Sequence, residues 1–360
     1  MSERIRLQQD RLKEGEIPET TDLTNYSLYF ASEKTHLEFI PTGCTKLDCV
    51  LGGGWVLGRQ TNIVGPRSVG KTLLAIEAAA NFAIKYPKGK IFYRESEAAF
   101  DEEYARALGM PLNRVSFVEE DQTFFTVEDF YNDLLIQIDL INKLQVPGLY
   151  ILDSLDALSD EAELGREFGE ASFGANKAKR MGELFRKLTQ KISTSNMSLI
   201  IISQERDNLG VTFGKKVTRS GGRAIDFYLT HLIWLSQIET LHKEKTYNGK
   251  KVKRAVGIKV KARCEKNKIS LPFRECTFDI IFGTGIDDFT SNMDWLEEVG
   301  RTNDLDLEGR TVSQYYKQVN KMDDEHYWQE VRKVSAATKL VWQQIEQDFL
   351  SLVPTRRKYS

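Results

Sequence analysis

The sequence has few cysteines and lacks the long apolar runs of secreted or membrane-spanning proteins. Only four cysteines occur in 360 residues, and no pair has C-x-x-C spacing, so neither a zinc site nor a disulfide framework is expected. No window of 18 residues is apolar, and the Met-Ser-Glu-Arg start is not followed by an apolar segment. We therefore expect a cytoplasmic protein with no membrane partner.

The sequence also lacks an excess of charge of either sign. Its 50 Lys and Arg residues oppose 52 Asp and Glu residues, for a net charge of −2. Global charge therefore gives no support for a nucleic-acid partner, and any such partner must be inferred from local groups of residues. At this length about two domains are expected.

A phosphate-binding motif is present between a predicted strand and a predicted helix. The eight residues fit G-x-x-x-x-G-K-[ST] at every fixed position; they are Gly65, Pro66, Arg67, Ser68, Val69, Gly70, Lys71 and Thr72. Backbone N–H groups of such a loop and the following helix N-terminus bind phosphate oxygens. Lys71 is expected to reach the β- and γ-phosphates and Thr72 to ligate Mg²⁺, so the cofactors predicted are ATP and Mg²⁺.

The pattern around this motif alternates strands and helices, which predicts an α/β fold with a mostly parallel sheet flanked by helices. Asn248-Gly249 predicts a type I′ hairpin turn between strands over 229–240 and 252–263. Thr126-Val127-Glu128-Asp129 is typical of a capping box at the start of the helix over 126–145. An apolar stripe with a spacing of three or four residues predicts an amphipathic helix over 324–352; its members are Tyr327, Val331, Val334, Val341, Ile345, Phe349 and Leu352. The strands expected of the sheet cover 60–64, 89–94, 115–118, 148–153, 197–203 and 276–282, and the helices cover 72–84, 101–108, 126–145, 176–195 and 324–352.

Three domains or regions are expected along the chain: an N-terminal arm over 1–38, an ATPase core over 39–289 and a small helical C-terminal region over 290–360. Tyr29 and Phe30 lie in the one strongly apolar piece of the arm. This piece is either a docked segment of a flexible arm or a strand that docks on a neighbouring subunit, and the sequence favours neither.

Polar residues at predicted strand ends are the candidates for nucleotide chemistry. Asp153 ends an apolar strand and is the candidate metal-side acid. Glu95 and Glu97 both follow the strand after the phosphate-binding helix, and spacing does not choose which of them activates water. Gln204, at the end of the strand 197–203, can hydrogen-bond a γ-phosphate. The region 205–222 after it has little periodicity and many basic and glycine residues, which suits a nucleic-acid contact.

Together these residues resemble the RecA family of homologous-recombination ATPases over about Phe39 to Phe289. The lead-in Pro41-Thr42-Gly43, the segment Glu97-Ala98-Ala99-Phe100-Asp101 and the segment Lys266-Asn267-Lys268 carry the resemblance. It implies that Glu97 activates water, that Tyr104 stacks on adenine and that Asp101 lies near its exocyclic amine. It also implies that Lys266 and Lys268 reach the neighbouring subunit's γ-phosphate, and that Phe227 packs across the subunit interface.

The resemblance further implies two DNA-binding loops, one over 163–174 and one over 208–222, with basic residues on the helix after the first. The implied DNA-binding residues are Arg166, Phe168, Gly169, Arg180, Arg186, Arg206, Gly210, Val211, Phe213, Lys215, Lys216, Arg219, Gly221 and Gly222. The stretch 23–34 is closer to UvsX-type phage members of the family. The basic end Arg356-Arg357-Lys358 replaces the acidic tail of many bacterial members.

The function expected from these features is an ATP-dependent strand-exchange protein, possibly phage-encoded, in a bacterial or phage-infected host cytoplasm. It would form filaments on single-stranded DNA, act on double-stranded DNA, and hydrolyse ATP when stimulated by DNA. A single-strand-binding protein or a loader is a further expected partner. Two alternatives stay open: a ring-forming helicase or translocase on the same core, and a non-recombining mediator or loader ATPase.

Overall fold

A computed structural model of the chain describes residues 37–97, 100–118, 126–159, 174–207, 217–219 and 223–349. The chain divides into two compact units, Met1–Glu38 and Phe39–Ser360. Nearly all of the first unit, including Tyr29 and Phe30, lies outside the described residues. Among the helices of the described ranges, none combines the length and apolar character that crossing a membrane requires.

The core of the second unit is a sheet whose central strands run parallel. Its strands and the preceding two-stranded pair are β1 (Phe39–Ile40), β2 (Trp55–Val56), β3 (Gln60–Gly65), β4 (Lys90–Glu95), β5 (Val115–Ser116), β6 (Gly148–Asp153), β7 (Met197–Asp207), β8 (Val217–Arg219), β9 (His231–Tyr247), β10 (Lys250–Asn267), β11 (Arg274–Ile281) and β12 (Gly285–Asp287). The sheet order is β12-β11-β10-β9-β3-β7-β6-β4-β5, and β8 pairs with β7. All pairs from β9 to β5 along this order are parallel, whereas β12 to β9 are antiparallel.

Helices cover both faces of this sheet. They are α1 (Thr45–Leu51), α2 (Lys71–Lys85), α3 (Glu102–Ala107), α4 (Val127–Leu144), α5 (Gly174–Ser193), α6 (Asp288–Glu298), α7 (Val312–Val319) and α8 (Asp324–Phe349). Short 3-10 turns occupy Leu112–Arg114, Leu155–Ala157, Arg223–Phe227 and Thr302–Asp304. The predicted α/β fold with a mostly parallel sheet flanked by helices is confirmed.

The side-chain alternation of the strands explains the two layers of the core. Ile63 and Ile151 face the cluster that holds α1, α2 and α3, whereas Val64 and Leu152 face the cluster that holds α4 and α5. Successive side chains of a strand point to opposite faces of the sheet. A strand that is covered by helices on both faces therefore needs a run of consecutive apolar residues. The sequence supplies such runs in β3, β6 and β7.

Several local predictions are confirmed in detail. Thr126 caps α4, since its hydroxyl accepts from the Asp129 N–H and the Asp129 carboxylate accepts from the Thr126 N–H, both at 2.9 Å. Asn248 and Gly249 have φ of 49° and 76°, the positive values that a type I′ turn requires at both central residues.

Other local predictions were wrong at the strand ends. The strand predicted over 115–118 stops at Ser116. The strand predicted to end at residue 203 continues to Asp207, because Glu205, Arg206 and Asp207 pair antiparallel with β8. The region 205–222 is therefore not a loop throughout. The hairpin strands β9 and β10 also extend to the turn, well beyond the predicted 240 and 252.

The C-terminal helices have a hydrophobic cluster of their own, which includes Phe289, Met293, Tyr315, Val334 and Val341. The predicted apolar stripe of α8 is buried at Val331, Val334 and Val341, but Phe349 at its end is 80% exposed. Polar contacts join this cluster to the core. Asp288 accepts from the N–H and the hydroxyl of Thr45, and Arg274 makes two hydrogen bonds of 2.6 Å with Glu346.

Asp48 is a buried acid at the junction of α1 and α8. Its carboxylate accepts from the Thr42 N–H at 2.9 Å, and Lys339 Nζ lies 3.8 Å from it. Burial raises the pKa of Asp48 to about 7, and the hydrogen bonds from Thr42 oppose that rise. A carboxyl whose pKa is raised on folding stabilises the folded state fully only below its unfolded pKa. That contribution is lost as the pH rises through the folded pKa.

We expect Asp48→Asn to remove a pH dependence of stability. Between pH 5 and pH 9 the wild type should lose about 2–3 kcal/mol relative to the variant, because Asn keeps an acceptor for Thr42 but does not ionise. Urea unfolding at pH 5, 7 and 9 measures this difference. Asp139→Asn, at an exposed position of α4, is the control. Parallel stability curves for wild type and Asp48→Asn would contradict the assignment.

Candidate nucleotide site and neighbouring loops

The phosphate-binding motif forms the turn from β3 into α2. Gly65 ends β3, Gly70 precedes the helix with φ of 94°, and Ser68 has φ of 58°. A Cβ at Gly70 would lie 2.4 Å from Ile280 Cδ1, and one at Gly65 would lie 2.8 Å from the Leu235 carbonyl oxygen. These contacts and the positive φ values explain why the turn requires glycine. Pro66 is half-buried, Val69 is buried, and Arg67 and Ser68 are exposed.

Lys71 and Thr72 begin α2 and point into the turn. Lys71 Nζ donates to the carbonyl oxygens of Gly65 at 2.9 Å and Pro66 at 2.5 Å. Burial lowers the pKa of Lys71, and the carboxylates of Asp153 and Glu97 oppose that shift. The Thr72 hydroxyl donates to Asp153 Oδ2 at 2.8 Å. A cation therefore lies next to the carbonyls of the turn, and a hydroxyl lies next to an acid at the end of β6.

Asp153 is held by a second hydroxyl. The Tyr93 hydroxyl donates to the same carboxylate oxygen at 2.8 Å. Burial raises the pKa of Asp153, while the hydrogen bonds from Tyr93 and Thr72 oppose the rise. The described residues contain no cluster of three His, Cys, Asp or Glu side chains that would hold a metal by themselves. One hydroxyl and one carboxylate fit a magnesium ion that takes its other ligands from phosphates and water.

A cleft of about 260 Å³ adjoins the turn. Tyr104 of α3 lines it together with Ser68, Gly70, Lys71, Thr72, Leu73, Ile258, Ile280 and Phe282. An apolar wall opposite an aromatic ring suits a flat, partly apolar group. The wall formed by Ile258, Ile280 and Phe282 was missed in the sequence, because these residues lie almost 200 positions from the motif and reach it only through the pairing of β9, β10 and β11.

Asp101 does not line this cleft. It caps α3, and its Oδ1 accepts from the Tyr104 N–H at 2.9 Å. The structure thus joins Asp101 and Tyr104 through the helix cap, and only the tyrosine ring borders the cleft. Burial raises the pKa of Tyr104, with smaller contributions from Glu77 and Asp101.

The Glu97 carboxylate, which follows β4, contacts one residue just after β6 and one residue of β7. Its Oε1 accepts from the Ser154 hydroxyl at 2.5 Å and from Gln204 Nε2 at 2.8 Å. Glu95 instead accepts from the Glu97 N–H at 2.9 Å. The Gln204 N–H donates to Asp156 Oδ2 at 2.6 Å. Gln204 is therefore held at two points. Its side-chain amide contacts the Glu97 carboxylate, and its backbone N–H contacts Asp156 in the 3-10 turn after β6.

The two strands that flank the segment 208–216 are tied to their surroundings by ion pairs. Arg206 Nε lies 3.3 Å from Asp156 Oδ1. Arg219 is buried and pairs with the Asp226 carboxylate, and the Asp226 carbonyl oxygen accepts from Lys266 Nζ. Arg219 is thus committed to Asp226, whereas the Arg206 side chain is 57% exposed.

Most residues of the two expected DNA-binding loops lie outside the described ranges. They are Arg166, Phe168 and Gly169 of the first loop, and Gly210, Val211, Phe213, Lys215, Lys216, Gly221 and Gly222 of the second. Arg180 and Arg186, on α5 after the first loop, are exposed. Arg180 Nη1 lies 3.7 Å from Glu128 Oε1 of α4.

Lys266 and Lys268 lie at the edge of the sheet that is formed by the amino ends of its parallel strands. The phosphate-binding turn lies at the opposite edge, formed by the carboxyl ends. Asn267, between them, pairs with His231, and His231 pairs with Thr61 near the start of β3. The turn begins at Gly65, about 13 Å further along β3 at 3.3 Å per residue. Lys268 Nζ donates to the Phe227 carbonyl oxygen at 3.1 Å. The Phe227 side chain is 75% exposed, and burial lowers the pKa of both lysines.

Comparison with known proteins identifies the family. The model of the RecA N-terminal domain family matches residues 26–287. Protein RecA of Streptomyces ambofaciens is 35% identical over 254 residues, which are 70% of this chain and 63% of that protein. Protein RecA of Streptomyces rimosus is 36% identical over 254 residues, which cover 70% of this chain and 62% of that protein.

A cyanobacterial relative gives the same result. Protein RecA of Synechococcus sp. strain CC9605 is 33% identical over 269 residues, or 75% of this chain and 67% of that protein. The chain spans less than two thirds of the length of the two Streptomyces relatives. The matched region contains the whole phosphate-binding turn, Glu97, Asp153, Gln204 and both lysines of the opposite edge. The chain therefore belongs to the RecA family.

Proposed function

We propose that this protein is an ATP-dependent DNA strand-exchange protein, which forms a filament on single-stranded DNA and hydrolyses ATP when DNA is bound. The observation that carries the proposal is the placement of Lys266 and Lys268 at the sheet edge opposite to the phosphate-binding turn. Cations at that edge are separated from the turn of their own subunit, but they can serve the turn of a neighbour. Hydrolysis then depends on head-to-tail assembly.

The phosphate-binding turn supports ATP as the nucleotide. Backbone N–H groups from Gly65 to Thr72 and the start of α2 hold the phosphates, and Lys71 exchanges its contacts with carbonyl oxygens for phosphate oxygens. Thr72 and Asp153 would hold Mg²⁺, which would neutralise charge on the phosphates. The Tyr104 ring stacks on adenine in the cleft against Ile280 and Phe282. Asp101 supports that ring indirectly, through the helix cap in which it accepts from the Tyr104 N–H.

Glu97 is the residue that activates water in this proposal. Its carboxylate is held by Ser154 and Gln204, so it is positioned at the carboxyl edge of the sheet, beside the phosphate-binding turn. A positioned carboxylate removes a proton from the attacking water and orients its lone pair. Glu95 accepts from the Glu97 N–H, which favours a supporting role for it.

Gln204 supplies the connection between nucleotide and DNA. Its side chain contacts Glu97, and three residues later β7 enters the segment 208–216. When DNA binds next to β7, we infer that a γ-phosphate competes with Glu97 for the side-chain amide of Gln204. DNA contacts are assigned to Arg206, to Arg180 and Arg186, and to the basic, glycine and aromatic residues of the two loops.

Arg219 has a different role from the one expected from the resemblance. Because it is buried and paired with Asp226, we assign it to fixing the second loop against the 3-10 turn Arg223–Phe227. That turn also supplies the carbonyl oxygens that hold Lys266 and Lys268. The exposed Phe227 side chain, next to Lys268, is the proposed contact with the neighbouring subunit. Tyr29 and Phe30 of the arm are also proposed as subunit-interface residues.

The proposal expects single-stranded DNA to stimulate steady-state ATP hydrolysis strongly, and negative-stain images of the same samples to show helical filaments. Strand exchange between single-stranded DNA and a duplex is then the activity assay. Stimulation with closed rings would favour a helicase or translocase. If DNA neither stimulated hydrolysis nor produced an assembly, a mediator or loader would be favoured. Closed rings, or the absence of stimulation and assembly, would each contradict the proposal.

Glu97→Gln should lower DNA-stimulated turnover by about 10²- to 10⁴-fold, the range that loss of a general base produces. Gln retains the acceptor for Ser154 and Gln204, so assembly should persist. Glu95→Gln is the matched control, because Gln keeps an acceptor for the Glu97 N–H, and its turnover should stay within about threefold of the wild type. Equal losses in the two variants would remove the basis for choosing Glu97.

A mixing experiment tests whether the lysines act on a neighbour. Lys71→Arg impairs the phosphate-binding turn but keeps Lys266 and Lys268, whereas Lys266→Gln/Lys268→Gln does the reverse. Each variant alone should be nearly inactive. In an equimolar mixture about one quarter of the junctions join an intact turn to intact lysines, so about one quarter of wild-type turnover should return. A mixture no more active than its components would show that the lysines do not act in trans.

A further inference from the structure

The hairpin of β9 and β10 extends far beyond its neighbours in the sheet. β3 pairs with β9 only as far as Trp234, and β11 pairs with β10 only from Gly257 onward. Residues 242–255 therefore form a two-stranded ribbon, and no other strand of the described ranges pairs with it. Every residue of this ribbon is exposed except Val252, which is half-buried. The ribbon lies wholly within the described residues.

The two faces of the ribbon differ in charge. Residues directly opposite on paired strands share a face, and successive residues alternate between faces. By the observed register, one face carries Lys243, Lys245, Tyr247, Lys250, Val252 and Arg254. The other carries His242, Glu244, Thr246, Lys251, Lys253 and Ala255. The first set, which we name the basic face, has four cations and no acid.

The basic face contains an arrangement that costs stability. Arg254 lies directly opposite Lys243, and like charges at directly opposed positions destabilise a strand pair. On the other face, by contrast, Lys251 Nζ is neutralised by Glu244 at 2.8 Å. No acidic side chain in the part of the chain that the structure describes forms an ion pair with Lys243 or Arg254. Such a repulsion is typical of a site where a ligand supplies the opposite charge.

Protection of the strand edges does not explain this arrangement. Lysines on exposed strands do prevent pairing with other chains, but that effect needs no segregation of the cations to one face. The ribbon places its acid and its ion pair on one side and leaves four cations together on the other. A flat surface of that kind fits an extended polyanion.

We propose that the basic face of the ribbon is a DNA-binding arm that takes the phosphate backbone of a duplex. A two-stranded ribbon fits the major groove, which is about 12 Å wide, and cations alongside it reach the phosphates. Binding of single strands depends on several aromatic rings that stack on bases, and the basic face has only Tyr247. Duplex DNA presents one negative charge per ~1.7 Å of its axis, a density that an extended acidic protein segment does not match, since such a segment rises about 3.3 Å per residue.

This arm is separate from the nucleotide site, and in the sequence it is distinct from the two loops. No ribbon residue lines the cleft beside the phosphate-binding turn, and the loops follow β6 and β7 rather than β9. The proposal concerns binding alone, so it does not rest on strand exchange. Because β9 is parallel to β3, the ribbon extends from the same edge of the sheet as the phosphate-binding turn.

The test compares two double variants that remove equal charge from opposite faces. Lys243→Gln/Lys245→Gln alters the basic face, and Lys251→Gln/Lys253→Gln is the matched control. Anisotropy of a short fluorescent duplex, measured with the full chain over a range of salt concentrations, gives the affinity and its salt slope. The basic-face variant should bind duplex up to about 60-fold more weakly at ~0.1 M salt, with a slope smaller by about 1.8, as loss of two phosphate contacts requires.

The control variant should change both quantities much less, and both variants should bind a fluorescent ATP analogue as the wild type does. Lys250→Gln/Arg254→Gln, on the basic face, should reproduce the loss. Equal losses for the two faces would mean that net charge alone acts, and no loss would mean that the face is not a DNA site. A loss confined to single-stranded DNA, or to a polyglutamate probe, would likewise overturn the proposal.

Discussion

The shared direction of the parallel strands β9, β3, β7, β6, β4 and β5 is the constraint on which the proposed mechanism depends. Since their carboxyl ends meet at one edge, Gly65, Glu97, Asp153 and Gln204 come together although they are far apart in the sequence. The same direction places Lys266 and Lys268 at the opposite edge, because β10 is antiparallel to β9 and ends where β9 begins. In the proposed mechanism, one subunit therefore carries two complementary halves of a site on opposite edges.

Short polar contacts join these two edges through the second loop. Gln204 connects Glu97 to β7, and β7 pairs with β8 on the far side of the segment 208–216. Arg219 of β8 pairs with Asp226, whose carbonyl oxygen accepts from Lys266. A contiguous set of contacts of this kind is a physical basis for coupling between DNA, nucleotide and the neighbouring subunit. It also gives Arg219 a purpose that does not require it to touch DNA.

Local signals in the sequence were sufficient for the motif, the fold class and the elements with clear caps. Gly70 and Lys71, the Thr126 cap and the Asn248-Gly249 turn each depend on residues within a few positions of one another. The cleft wall of Ile258, Ile280 and Phe282 depends instead on strand pairing across the chain, which no local pattern reports. Glu97 is distinguished from Glu95 by its hydrogen bonds with Ser154, which follows β6, and with Gln204 of β7, and the local spacing does not report these contacts. The position of Arg219 likewise depends on the pairing of β8 with β7, which no local pattern reports. From the sequence, Arg219 was therefore expected to be a DNA-binding residue of the second loop.

The measurement that tests the central claim most directly is a cryo-electron microscopy structure of the protein with single-stranded DNA and a non-hydrolysable ATP analogue. We expect a helical filament in which Lys266 and Lys268 of one subunit contact the γ-phosphate that the next subunit's phosphate-binding turn holds. These contacts should be at hydrogen-bond distance, about 3 Å. If instead the lysines still contact Asp226 and Phe227 while another cation approaches the γ-phosphate, or if the subunits close into a ring, the account is contradicted.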